Sequence, residues 1–234
     1  MGLGKLLHHH EEHADAGGTI DRPRAYEVFG SIAFLGGRRA AFTRVAAAAR
    51  PRAGDRILDV GCGTGYLSRI LAPVVASGGH VTGLDPSPAM IAYATRQAPA
   101  NCTYLLGEGQ DLPFSDGSFD LVVSSLAVHH MPAGARPEAV RQMFRVLRPG
   151  GRLLIAEFRP PANPLARHLV GALSGPAMRH DPRDLLGTMI QDAGFEVEAE
   201  GACRTCCTAS VPPGRKTTTP CYRAVVAAPG RARA

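Results

Sequence analysis

Asp59-Val60-Gly61-Cys62-Gly63-Thr64-Gly65 stands directly after the strand-like run Arg56-Ile57-Leu58 and directly before the helix-period run Tyr66 to Leu71. The order is a strand, a tight backbone turn and a helix start. Alternate glycines let such a turn take positive backbone torsions and let a ligand press against main chain where a side chain would block it. The helix start behind them offers unpaired amides to acceptor groups. A dinucleotide fingerprint needs its third glycine one position later, where Tyr66 stands, so an NAD-type loop fits poorly.

Outward from that loop the chain alternates between short β-rich runs and helix-period runs, as a doubly wound α/β sheet requires. Strands are predicted at 56–60, 80–84, 103–107, 121–125, 152–158, 195–200 and 221–227. Ser87-Pro88 reads as a helix cap followed by proline at the first helical position, and Asp181-Pro182 repeats the device. Val140, Met143, Phe144 and Leu147 form one helical face that Arg148-Pro149-Gly150-Gly151 is expected to end. Pro73 falls late in the first core helix and is expected to kink or end it.

Before the core, Tyr26, Phe29 and Ile32, then Phe34 and Leu35, recur near helical spacing up to the Gly36-Gly37 break, and Ala40 to Ala49 follows. Residues 1–50 read as an N-terminal helical cap on one core of residues 51–234. A segment rich in Pro, Ala and Gly at about 160–181 reads as an insertion over the carboxyl edge of the sheet, where open α/β sheets bind ligands. With residues 1–35 it is expected to wall a substrate pocket.

Asp85 ends the second predicted strand, twenty residues beyond Gly65. A carboxylate at that place can accept hydrogen bonds from both hydroxyls of a ribose, which makes the glycine loop a nucleoside-site candidate. Helix capping before Pro86 is its other reading. Pro86 and Met90 would then flank a base with apolar surface. Asp59, just before the loop, can cap its turn.

Asp59-x-Gly61-x-Gly63-x-Gly65 resembles the first motif of class I S-adenosylmethionine (SAM) methyltransferases. Gly107-Glu108-Gly109-Gln110-Asp111-Leu112-Pro113-Phe114 resembles the segment that reads the adenine edge in the ubiquinone and menaquinone type of that family, with Glu108 and Gly109 where Asp and Ala are usual. Arg148-Pro149-Gly150-Gly151 resembles the turn before its fifth strand. The resemblance covers roughly residues 50–158. It implies an α/β, Rossmann-like seven-stranded sheet with helices on both faces and an antiparallel last strand.

The resemblance also implies SAM as donor and S-adenosylhomocysteine as product. Asp59 would lie beneath the methionine part, and the main chain of Gly61, Cys62 and Gly63 against its amino-acid end. Gly65 completes the motif, Asp85 meets the ribose, and Glu108, Gly109 and Gln110 meet the adenine. Ser124 and Ser125 end the fourth strand, where the family brings donor and acceptor together. His129 or His130 could remove a proton from the acceptor, since histidine titrates near neutral pH; packing is their other role. Tyr26 is placed like an N-terminal tyrosine that closes over SAM, or is an ordinary cap aromatic.

The 234 residues carry a net charge of +6, almost all of it arginine, with Lys5 and Lys216 the only lysines. The arginines are scattered and do not alternate with aromatics, which argues against a nucleic-acid surface. No stretch approaches the length of a membrane span, and Met1 to His10 has neither a long apolar segment nor a small-residue cleavage site, so a cytoplasmic protein is expected. The His8-His9-His10-Glu11-Glu12-His13 cluster reads as a polar terminus, with metal binding as the alternative. Cys203, Cys206, Cys207 and Cys221 read as small residues near the last strands, with zinc or a soft metalloid as the alternative.

The expected function is methyl transfer from SAM to an oxygen, nitrogen or carbon of a small-molecule acceptor, secondary-metabolite or quinone-like, which the motifs leave open. RNA methylation and non-methylating chemistry such as cyclisation are the competing readings.

Overall fold

A computed structural model describes residues 21–34, 36–76, 78–159, 186, 188–203 and 221–229. Two helices, α1 (Pro23–Ala33) and α2 (Arg38–Ala48), precede the sheet. The core then runs β1 (Arg56–Val60), α3 (Tyr66–Val75), β2 (His80–Asp85), α4 (Pro88–Thr95), β3 (Cys102–Leu106), β4 (Phe119–Ser125), α5 (Arg136–Val146) and β5 (Leu147–Arg159). A short helix α6 (Met189–Asp192) and strands β6 (Phe195–Cys203) and β7 (Cys221–Pro229) complete it.

Strands β3, β2, β1, β4 and β5 lie side by side and run parallel. β7 pairs antiparallel with β5 on one side and with β6 on the other, giving the order β3-β2-β1-β4-β5-β7-β6. The chain order reverses between β1 and β4. A crevice forms at such a switch point, outside the carboxyl ends of the strands, because the connections on its two sides leave to opposite faces.

Burial follows from the strand period of two. Ile57, Val81, Leu121 and Leu154 face one core with α2 and α3, while Leu58, Leu84, Val122 and Leu153 face a second core with α5 and α6. Both faces of the parallel strands are covered, which is why these strands read as nearly continuous apolar runs. Each fully buried aliphatic side chain contributes about 1.5–3 kcal/mol to this arrangement.

The elements depart from the sequence reading at their ends. β3 begins at Cys102, one residue before the expected start, in register with Val81 of β2. Pro73 neither ends α3 nor stops its packing: the helix continues to Val75, which is fully buried. α5 stops at Val146, so Leu147 pairs with Phe119 as a strand residue instead of closing a helical face. The turn Arg148 to Gly151 is absorbed as a register shift within the β4–β5 pair. The His8 to His13 cluster, the 160–181 segment, Asp181-Pro182, Cys206 and Cys207 lie outside the described residues, and the strands carry Cys203 and Cys221. No helix among the described residues is long and apolar enough to cross a membrane.

Candidate active site

The glycine loop fits its place because two of its residues have no room for a side chain. Gly61 has φ +73°, and a Cβ there would lie 2.2 Å from the Cβ of Ala127 on the β4–α5 connection. Gly65 has φ +74°, and a Cβ there would lie 2.5 Å from the hydroxyl of Tyr104. Gly63 differs: its φ is +52° and the space before it is open. Gly61 and Gly65 thus let neighbouring elements close in, while Gly63 exposes main chain to a cavity of about 220 Å³.

Asp85, at the end of β2, fixes the loop from the other side. Its Oδ2 accepts the Gly63 amide hydrogen at 2.8 Å and its Oδ1 accepts that of Ser87 at 3.0 Å. Ser87 in turn caps α4, its hydroxyl accepting the Met90 amide hydrogen at 3.3 Å. Burial pushes the Asp85 carboxyl above its ordinary range, and the two amides pull it back. Each oxygen keeps a lone pair for a further donor.

Asp59 is 1% exposed and accepts a 2.6 Å hydrogen bond from Ser68 of α3. Burial raises its pKa to about 7, Ser68 opposes the shift, and the nearby Asp85 charge adds to it. Cys62 lines the cavity between them, and burial, with the charges of Asp59 and Asp85, holds its thiol protonated. Pro86, Met90, Glu108, Gly109 and Gln110 line the same cavity, and Gln110 Nε2 donates to Glu108 Oε2.

The structure separates residues that the sequence reading grouped together. Ser125 lines the cavity with a buried hydroxyl that has no partner among the described residues, whereas Ser124 is fully buried outside the cavity lining. The alternation of β4 sends successive side chains to opposite faces. His130 lines the cavity, but His129 does not: its Nδ1 lies 2.6 Å from Oε2 of Glu157 on β5. The two imidazole rings are in contact, with centroids 4.0 Å apart and planes tilted by 40°. Gly65 supports the loop as the left-handed cap of α3 and does not line the cavity, although Gly61 and Gly63 do.

Tyr26 of α1 lines the cavity, and burial raises its hydroxyl pKa, so it remains protonated. Beside it lies a group that the sequence reading missed. Arg38, at the start of α2, makes a two-pronged ion pair with Glu27 at 2.7 and 3.1 Å. Its guanidinium sits 3.9 Å from the centroid of the Tyr66 ring, and Thr64 donates to Oε1 of Glu27 at 2.5 Å. Gly30 makes the room, since a Cβ there would lie 3.2 Å from the guanidinium. Glu157 was missed as well; its signal was a lone carboxylate within Leu153-Leu154-Ile155-Ala156-Glu157-Phe158. Among the described residues no cluster of three or more His, Cys, Asp or Glu side chains could hold a metal ion.

The chain is similar to known proteins. The methyltransferase domain family matches residues 57–151. The ubiquinone/menaquinone biosynthesis C-methyltransferase UbiE of Vibrio parahaemolyticus is 33% identical over 182 residues, covering 66% of this chain and 69% of that protein. The 2-phytyl-1,4-naphtoquinone methyltransferase of Synechococcus elongatus is 39% identical over 125 residues, covering 51% of this chain and 52% of that protein. A solved SAM-dependent methyltransferase from Mesorhizobium loti superposes with a TM-score of 0.63 at 25% identity, over 81% of this chain and 97% of that one. This chain belongs to the class I SAM-dependent methyltransferases, enzymes that take a methyl group from SAM and leave S-adenosylhomocysteine.

Proposed function

We propose that the enzyme methylates a ring carbon of a small, reduced quinone-type acceptor, with the donor across the glycine loop and the acceptor between Tyr26, His130 and Met131. One observation carries the donor half: two buried carboxylates, Asp59 and Asp85, flank a loop whose Gly63 opens onto the cavity. The residues fit SAM. Asp85 has acceptor capacity left for ribose hydroxyls, Asp59 would hold an ammonium group, and the Ser125 hydroxyl, without a partner among the described residues, would offer one more polar contact. Glu108 and Gln110 would meet the adenine edge, with Pro86 and Met90 against its faces.

The acceptor half is supported by the two quinone-ring relatives and by the apolar side of the cavity, where Leu126, Met131 and Pro132 sit. A quinone ring is an electrophile, and only its reduced, hydroxylated form has a carbon electron-rich enough to attack a methyl group. When bound, SAM supplies a methyl on a positively charged sulfur that departs as a neutral thioether. As the carbon–carbon bond forms, one proton must leave the acceptor. His130 is the cavity group suited to take it, because Tyr26 holds its own proton and His129 is turned to Glu157. Alignment and exclusion of water supply the rest.

In this reading α1 and α2 form a cap over a single core. The test combines methyl-labelled SAM with a dithionite-reduced, 2-alkylated 1,4-naphthoquinone. A product carrying one methyl in place of one ring hydrogen is expected. S-adenosylhomocysteine should raise the melting temperature of the wild type, and Asp85→Ala should abolish that rise while lowering basal stability by about 1–3 kcal/mol, as two buried amides lose their acceptor. A melting-temperature rise without quinol methylation would leave the donor half standing and overturn the acceptor half.

A further inference from the structure

Glu157 sits behind the cavity wall, 1% exposed, at a point where the backbone is strained. β4 ends at Ser125, and Leu126 then turns into the left-handed region with φ +58°, unusual for a residue with a branched side chain. Such a conformation costs about 1–3 kcal/mol and persists only where its surroundings hold it. Two residues of β5 do so. The Leu126 amide donates to the carbonyl of Ala156 at 2.8 Å, and the Val128 amide donates to Oε1 of Glu157 at 2.9 Å.

The second oxygen of Glu157 is then directed at one target. Oε2 lies 2.6 Å from Nδ1 of His129, and with Oε1 already taken by an amide the carboxylate cannot turn away. An ionised carboxylate only accepts, so Nδ1 of His129 carries the hydrogen. The ring is fixed, and it packs at a tilt against His130, whose side chain lines the cavity. Arg136 holds the same turn from outside, donating to the carbonyls of His129 at 3.2 Å and Met131 at 3.0 Å. The whole segment Leu126 to Met131 is therefore clamped, and four of its residues, Leu126, Ala127, His130 and Met131, form cavity wall.

We infer that Glu157 is a positioning residue for methyl transfer: through the Val128 amide and the His129 ring it sets where His130 stands against the acceptor. A buried carboxylate is costly to keep, and Glu157 follows the fully buried apolar residues Ile155 and Ala156. The inference rests on the reading of the cavity as the methyl-transfer site. It adds a residue that touches neither donor nor acceptor.

The test uses wild type, Glu157→Gln and Glu157→Asp. Nitrogen NMR of the wild-type histidines, at a pH where they are neutral, is expected to show His129 protonated on Nδ1; protonation on Nε2 would overturn the inference without any variant having to fold. With the reduced naphthoquinone probe, Glu157→Gln is expected to lower kcat by about tenfold or more while KM for SAM changes by less than about threefold. Glu157→Asp should recover part of the loss. S-adenosylhomocysteine binding, followed by calorimetry, should be retained in both variants. Unchanged kcat in Glu157→Gln overturns the inference alone, whereas absent S-adenosylhomocysteine binding by the wild type overturns the underlying reading.

Discussion

The hydroxyl of Ser68 donates to Oδ2 of Asp59 at 2.6 Å, so the carboxylate that ends β1 is held by α3, the helix that begins just beyond the glycine loop. Among the described residues, Ser68 is the hydrogen-bonding partner of this carboxylate, which is 1% exposed. One neutral hydrogen bond does not offset the desolvation of a buried charge, and the Asp59 pKa rises to about 7.

A pH dependence follows. Asp59 holds its proton more tightly folded than unfolded, so the ligand-free protein loses stability as pH rises from about 4 to about 7. The slope is at most roughly 1.4 kcal/mol per pH unit. Asp59→Asn should flatten this part of a plot of melting temperature against pH. Binding should run the opposite way. The ammonium of S-adenosylhomocysteine meets an ionised Asp59 only above that pKa, so its affinity should strengthen as pH rises through about 7. Calorimetry between pH 5.5 and 8 checks both, and a slope that survives in Asp59→Asn would assign the effect to another group.

Gly61 and Gly63 should respond differently to the same added methyl group. Gly61→Ala combines a left-handed backbone with a Cβ 2.2 Å from that of Ala127, and should destabilise the fold by roughly 2–6 kcal/mol. Gly63→Ala meets nothing within 4 Å, so only the backbone strain of about 1–2 kcal/mol applies. Its methyl group enters the cavity instead. Chemical denaturation should therefore rank Gly61→Ala well below Gly63→Ala, while calorimetry should find S-adenosylhomocysteine affinity lost in the folded Gly63→Ala protein. Equal stabilities would mean that Ala127 moves aside.

How far the site could be read from sequence depended on how local its contacts are. The loop from Asp59 to Gly65 and the Ser87 cap were legible because their geometry is set within a few residues by glycine torsions and a side chain bonding nearby main chain. Asp85 was legible through its distance from the loop, which the βαβ unit fixes. The split between Ser124 and Ser125 was not, since a strand reading alone does not say which face is the cavity. Nor could the sequence order show His129 pairing with a residue 28 positions on, or Thr64 with one 37 positions back. Those contacts exist only after the sheet has brought β5 beside β4 and the N-terminal helices against the loop.

The hydrogen bond between Thr64 and Glu27 ties α1 to the glycine loop, and Arg38 stands at the centre of that link. Arg38 is 5% exposed, pairs twice with Glu27 and stacks on Tyr66, so Arg38→Met should lower stability by about 3–5 kcal/mol, much of it from the stranded Glu27 carboxylate. Arg38→Lys should not restore it, because an ammonium cannot form the two-pronged pair and the ring stack together. Removing both charges tests the origin of the effect. In Glu27→Gln with Arg38→Met no buried charge is left alone, so the double variant should cost less than the sum of the single ones. Both single variants should also weaken S-adenosylhomocysteine binding, because Thr64 sits in the loop that meets it. Strictly additive losses of stability would show that the two residues do not depend on each other.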